Sequence, residues 1–354
     1  MSSKIFALHG LRAVAATLVA VTHLIMRLID YKVVGADWQR FTIAGKVGVY
    51  TFFAISGLIM IKSSLGHFGK PGAPGQFMLR RLIRIVPIYY VFTLLFLVRM
   101  QMVGEAWSPG ELLLSFLFIP YVNPAGLMQP LYGLGWTLNY EMYFYAVFAL
   151  SLFLGRRMGL TLLFGTLALV MLLALPFGQA LPNGDPQNLW AFYGSPVILF
   201  FVAGMVIGLV PMPARLSPQV SLLAASSLLV AAVLIADVTV AMIFCVAAVW
   251  IVSLERNPEQ VGPAERSMEF LGESSYSIYL THSFVLGPAV AIGLRLGLFD
   301  SAVGAWGYSA VVIGACVIAG ALAFVIVERP LLALLRRRLL PPSRKVAPSE
   351  PARI

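Results

Sequence analysis

Charge is what this sequence has least of. Only 11% of its 354 residues are Asp, Glu, Lys or Arg, less than half the roughly 25% of soluble domains. That scarcity excludes an ordinary soluble globular chain. Cysteine is nearly absent: Cys245 and Cys316, both inside apolar runs, make no disulfide framework and no metal-ligand spacing. No metal is expected. The ten-residue alternating segments of a transmembrane β-barrel are also missing.

What is abundant is apolar sequence. Hydrophobic residues make up 60% of the chain and mean hydropathy is +0.88. Runs of about 20 apolar residues, enough to cross a bilayer core, recur along its length. The expectation is an all-α integral membrane protein, a bundle of about ten transmembrane helices. The spans fall at 8–28, 45–63, 82–102, 134–154, 159–176, 191–210, 219–236, 238–254, 274–297 and 305–327. Trp107–Val122 is too short to span and reads as an outer-face or re-entrant helix.

The net charge of +10 does not point to nucleic acid, because the basic residues sit between spans. With both termini cytoplasmic, the inner segments collect all of the 25 Lys and Arg except Arg27, Lys32, Arg40, Lys46, Arg99 and Arg295, as the positive-inside rule requires. The first apolar stretch, interrupted by Arg12 and His23, reads as an uncleaved span. Residues 1–335 form one transmembrane domain, and the basic, Pro-rich 336–354 a disordered cytoplasmic tail.

Polar groups inside such spans are costly and face a cavity or a partner. Arg12 and His23 are eleven residues apart. They return to nearly one helix face, roughly 16 Å apart along the axis. Arg81 and Arg84, with Arg80, share a face at the inner end of the third span, a cluster suited to a phosphate. The competing reading is a lipid-headgroup anchor. Glu141 lies about two turns inside the fourth span, at the depth assigned to His23, so the two are expected to meet. A carboxylate there orients a histidine as a general base requires. Ser56 and Gly57 allow close helix approach or line a cavity. His282 follows Tyr276 and Tyr279 up the ninth span, and Glu328 closes the last as a partner for Arg12 or the arginine cluster.

In this order and spacing, the blocks resemble the membrane acyltransferase 3 family. They are Arg12 with His23, Gly48 to Gly57, Arg81 with Arg84, Trp136 to Glu141, Ser275 to His282, and Glu328 to Pro330. The resemblance runs from about residue 5 to 331 and leans toward the branch that acetylates exopolysaccharides. It departs at Tyr50, where relatives often carry an acid.

The resemblance implies an O-acyltransferase that moves an acetyl or other short acyl group from acyl-CoA, with acetyl-CoA as donor. The acceptor is a hydroxyl of an exported, possibly lipid-linked carbohydrate, at the bacterial cytoplasmic membrane. His23 and Glu141 are then the catalytic pair. Arg12, Arg81, Arg84, His282 and Glu328 bind the donor. Membrane lipids are further partners, and an oligomer is compatible with the sequence. From the residues alone a transporter of carbohydrate or lipid-linked sugar, using the buried Arg, His and Glu as its path, stays open.

Overall fold

The computed structural model describes residues 5–177 and 188–340. It is helical throughout these residues, with two isolated β-bridges in place of any sheet. In chain order the helices are α1 (Phe6–Asp30), α2 (Ile43–Ser64), α3 (Ala73–Val103), α4 (Pro109–Phe116), α5 (Trp136–Ser151), α6 (Arg156–Ala174) and α7 (Leu189–Tyr193). They continue with α8 (Ile198–Leu209), α9 (Pro218–Ile235), α10 (Val238–Ser253), α11 (Pro263–Arg295), α12 (Ala302–Ala323) and α13 (Arg329–Leu339).

Among the described residues, eight helical stretches are long and apolar enough to cross a membrane. The other two expected spans coincide with α5 and α10, each 16 residues. At 1.5 Å per residue these are about 24 Å long, below the roughly 30 Å core of a bilayer. α4, with 8 residues, is a short helix capped by Ser108 and Glu111, each side chain bonding the other's backbone N–H. That reciprocal cap is a local sequence signal for a helix start.

Three boundaries differ from the hydropathy reading, each for a local reason. α3 begins nine residues before the expected span, because Pro74 stands in its first turn where a missing N–H costs nothing. α11 likewise starts at Pro263, with Glu265 reaching back to the Gly262 N–H at 2.9 Å. The expected continuous span 191–210 is two helices, α7 and α8, separated by Gly194–Val197. Pro196 cannot donate to the preceding turn and restricts Ser195 before it. At the far end of the chain, Arg336–Leu339, assigned by sequence to the tail, complete α13. Residues 341–354 lie outside the described residues.

α2 and α11 are the structural centre. α11 packs on α1 and α12, while α2 packs on α1 and α8. The α2–α8 crossing is close enough that only glycine fits. A Cβ on Gly57 would stand 2.1 Å from the Phe201 carbonyl oxygen, and one on Gly204 1.8 Å from that of Ala54. Small residues at such crossings are what lets helices associate where burial from water supplies no drive. Beside them Tyr50 stacks on Phe200 with ring centroids 4.1 Å apart, which makes it an aromatic packing site.

One helix end is capped from far away. Glu255, after α10, accepts the backbone N–H groups of Phe6 and Ala7 at 2.8 and 2.6 Å. Those are orphan donors at the start of α1, and no neighbouring side chain caps them.

Candidate active site

Five helices, α2 among them through Ser56, converge on a cavity of about 80 Å³ lined by Arg12, Ser56, Arg81, Arg84, Glu141, Tyr145, Tyr276 and Tyr279 among others. α1 contributes Arg12 one and a half turns from its start. α3 contributes Arg81 and Arg84, α5 Glu141 and Tyr145, α11 the two tyrosines. Three guanidinium groups face one carboxylate, so the lining is strongly cationic. A second cavity of about 230 Å³ adjoins it, lined by His67, Gln76, Arg80 and Arg336 and sharing Ile59, Arg81 and Arg84 with the first. The shared arginines therefore stand between a wider basic vestibule and a narrower interior chamber.

The side chains of the chamber are held individually. Glu141 accepts from Ser56 at 3.1 Å and from Tyr145 at 2.8 Å. Arg81 lies over the Phe77 and Tyr145 rings, 5.4 and 5.6 Å from their centroids, a stacked placement that suits a planar guanidinium. Arg12 is buried, at 8% exposure, within electrostatic reach of Arg84, Glu141 and Glu328. Tyr276 donates to the Ile85 carbonyl at 3.0 Å, next to Arg84.

Glu328 is 2% exposed and accepts from Ser277 at 2.5 Å. It ends a π-turn, Phe324–Glu328, between α12 and α13. Pro330 removes the donor that an α-helix would aim at the Ile326 carbonyl, and a wider turn absorbs the defect. The local strain of Glu-Arg-Pro thus swings Glu328 into the bundle.

His23 does not meet Glu141. Its Nδ1 lies 3.0 Å from the Val19 carbonyl and 3.1 Å from His282 Nε2. The reason lies just before α5. Met128, Pro130, Tyr132, Leu134 and Gly135 are buried, so the last residues before α5 run within the bundle and the helix starts deep. Glu141 consequently faces Ser56, in the middle of α2. His23 stands near the first turn of α2, where the adjacent Thr22 donates to the Thr42 carbonyl at 3.0 Å. From that turn to Ser56 is roughly 20 Å of helix.

His282, expected among the donor-binding groups, is placed against His23. The two sites are nevertheless neighbours. Tyr279 lines the chamber, and its ring centroid is 6.1 Å from that of His282. Arg12, Arg81, Arg84 and Glu141 come together as lining residues, with Glu328 behind them.

Tyr145 is not among the candidate site residues of the sequence, although its i,i+4 spacing from Glu141 is a usable signal. Ser277, Arg336 and the vestibule position of His67 had no such signal. Their partners are remote in the chain.

Comparison with known proteins decides the family. A model described as an acyltransferase domain matches residues 5–328. This chain belongs to the acyltransferase 3 family. It is 35% identical over 314 residues to the exopolysaccharide production protein ExoZ of Rhizobium meliloti (strain 1021), covering 83% of this chain and 91% of that one. It is 26% identical over 366 residues to the acyltransferase MdmB of Streptomyces mycarofaciens, covering 94% and 92%. No solved structure matches the chain. The protein is therefore a multi-pass membrane acyltransferase, and the transporter reading gives way to an enzyme.

Proposed function

We propose that this enzyme moves an acetyl or other short acyl group from acyl-CoA to a hydroxyl of an exported carbohydrate, an exopolysaccharide, at the bacterial cytoplasmic membrane. The observation that carries the reading is the paired cavity. A basic vestibule leads past Arg81 and Arg84 into a chamber that stops at Tyr279, beside His282 and His23. Acyl-CoA has that shape and charge: a multiply phosphorylated head and a long neutral arm ending in a thioester.

With both termini cytoplasmic and ten spans, the vestibule opens to the cytoplasm. Arg81, Arg84 and Arg12 take the phosphates as charge-assisted, partly bidentate bonds. Glu328 and Glu141 supply the counter-charges that let three guanidinium groups share one site. Glu141, fixed by Ser56 and Tyr145, lines the path of the arm and is reassigned from helper of His23 to that lining. His23 acts as general base. Its ring nitrogen takes the acceptor's hydroxyl proton, the oxygen bonds to the acyl carbon, the carbon–sulfur bond breaks, and the departing thiolate receives the proton. The relationship to ExoZ, an exopolysaccharide production protein, supports a polysaccharide acceptor.

The test is release of free CoA from acetyl-CoA by the full-length protein in detergent, with and without a polysaccharide or lipid-linked oligosaccharide extract. Release that the extract stimulates and His23→Ala abolishes is expected. No release, together with no acetyl-CoA binding that depends on Arg81 and Arg84, would overturn the reading.

A further inference from the structure

Among the described residues, His23 has no carboxylate partner of the kind that usually orients a catalytic imidazole. It has a second histidine. The Val19 carbonyl, 3.0 Å from His23 Nδ1, can only accept. Nδ1 therefore carries the proton, and Nε2 keeps the lone pair. His282 Nε2 lies 3.1 Å from that same Nδ1, so it meets an N–H and serves as its second acceptor in a three-centre bond. The rings are 5.0 Å apart and tilted by 32°. His282 is fully buried on α11, where Tyr279, three residues earlier, is itself fixed by donation to the Leu134 carbonyl at 2.8 Å.

We propose that His282 is a positioning residue for His23. Its Nε2 lone pair and the Val19 carbonyl hold the His23 Nδ1–H between them, which fixes one tautomer and presents Nε2 to the acceptor hydroxyl. When Nε2 takes the hydroxyl proton, the positive charge on the ring is shared through Nδ1–H with these two acceptors, and no proton leaves Nδ1. The same Nε2 proton passes on to the departing thiolate, so the pair ends as it began. This inference rests on the reading of His23 as the base.

The chain has four histidines, so their ring nitrogens can be resolved individually in ¹⁵N-labelled, full-length protein in nanodiscs. A through-hydrogen-bond nitrogen–nitrogen coupling between His23 and His282 is expected, and it needs no substrate. In turnover of acetyl-CoA with the carbohydrate extract, His282→Leu should lower kcat about a hundredfold, the usual scale for a general base, with KM for acetyl-CoA within about twofold. His282→Gln, whose amide oxygen still accepts, should recover to within about tenfold of wild type.

The proposal fails if the coupling is absent, if a folded His282→Leu keeps wild-type kcat, or if His282→Gln falls as far as His282→Leu. Should His282→Leu not fold, the coupling and His282→Gln decide. Absence of coupling in an active enzyme sinks this inference alone. Coupling in a protein that turns over no acyl-CoA sinks the proposed function, and the role of His282 with it.

Discussion

Ser277 and Glu328, 51 residues apart in the chain, are joined by a buried hydrogen bond of 2.5 Å. The bond ties α11 to the π-turn behind the arginine chamber. Arg12 and Arg84 both feel the charge of Glu328, and Arg12 also that of Glu141, so two carboxylates balance a cluster that would otherwise repel itself.

Neutralising that carboxylate should loosen the fold before it touches chemistry. Glu328→Gln keeps a group for Ser277 but leaves Arg12 and Arg84 less compensated. Losing one partner of a buried charged cluster costs on the order of 3 kcal/mol. A clear fall in the thermal midpoint of the detergent-solubilised protein is expected, larger for Glu328→Ala. An unchanged midpoint in both variants would remove Glu328 from this role.

Arg81 should not tolerate lysine. An ammonium keeps the charge but loses both the stacking over Phe77 and Tyr145 and the two-pronged grip on phosphate. Arg81→Lys is expected to raise KM for acetyl-CoA about tenfold, or 1.4 kcal/mol, with kcat nearly unchanged. Equal KM values would show that only net charge matters there.

The α2–α8 crossing should be intolerant of a single methyl group. A Cβ on Gly204 would meet the Ala54 backbone at 1.8 Å, and backbone cannot rotate away as a side chain can. Gly204→Ala should cost about 1–3 kcal/mol, the range for overpacking, read as reduced yield of folded protein on size exclusion. Gly165, with nothing near its Cβ position, supplies the control, and Gly165→Ala should behave as wild type.

Glu255 gives a pH dependence. Burial raises its carboxyl above the ordinary carboxylate range, more than the N–H groups of Ala7 and Phe6 pull it down. A group that holds its proton more tightly folded than unfolded loses stability as pH rises through that window. The thermal midpoint of wild type should therefore decline more steeply with rising pH just above the ordinary carboxylate range than that of Glu255→Gln. Parallel curves would contradict it. Glu255→Ala, which uncaps α1, should cost about 1 kcal/mol below that window.

How much of this was legible beforehand follows from what each signal measures. Hydropathy found helices on every expected span, since the bilayer demands long apolar runs with satisfied backbones. The motif blocks also named the chamber's principal charges, Arg12, Arg81, Arg84 and Glu141, because charge inside a span stands out from its surroundings. Ser56 and Gly57 are adjacent, and one residue step, 100° of helix, separates their fates. Gly57 meets α8, while Ser56 turns to Glu141.

The amino-acid sequence by itself determined the membrane class, the family, and which residues are too costly to be idle. Only the tertiary structure decided which of them meet. A helix that is apolar on every side carries no amphipathic stripe to say which face turns inward. Its depth is equally silent when, as before α5, an irregular connection is buried within the bundle. So His23 found His282 rather than Glu141 through packing, at a crossing that neither residue's neighbours in the chain encode.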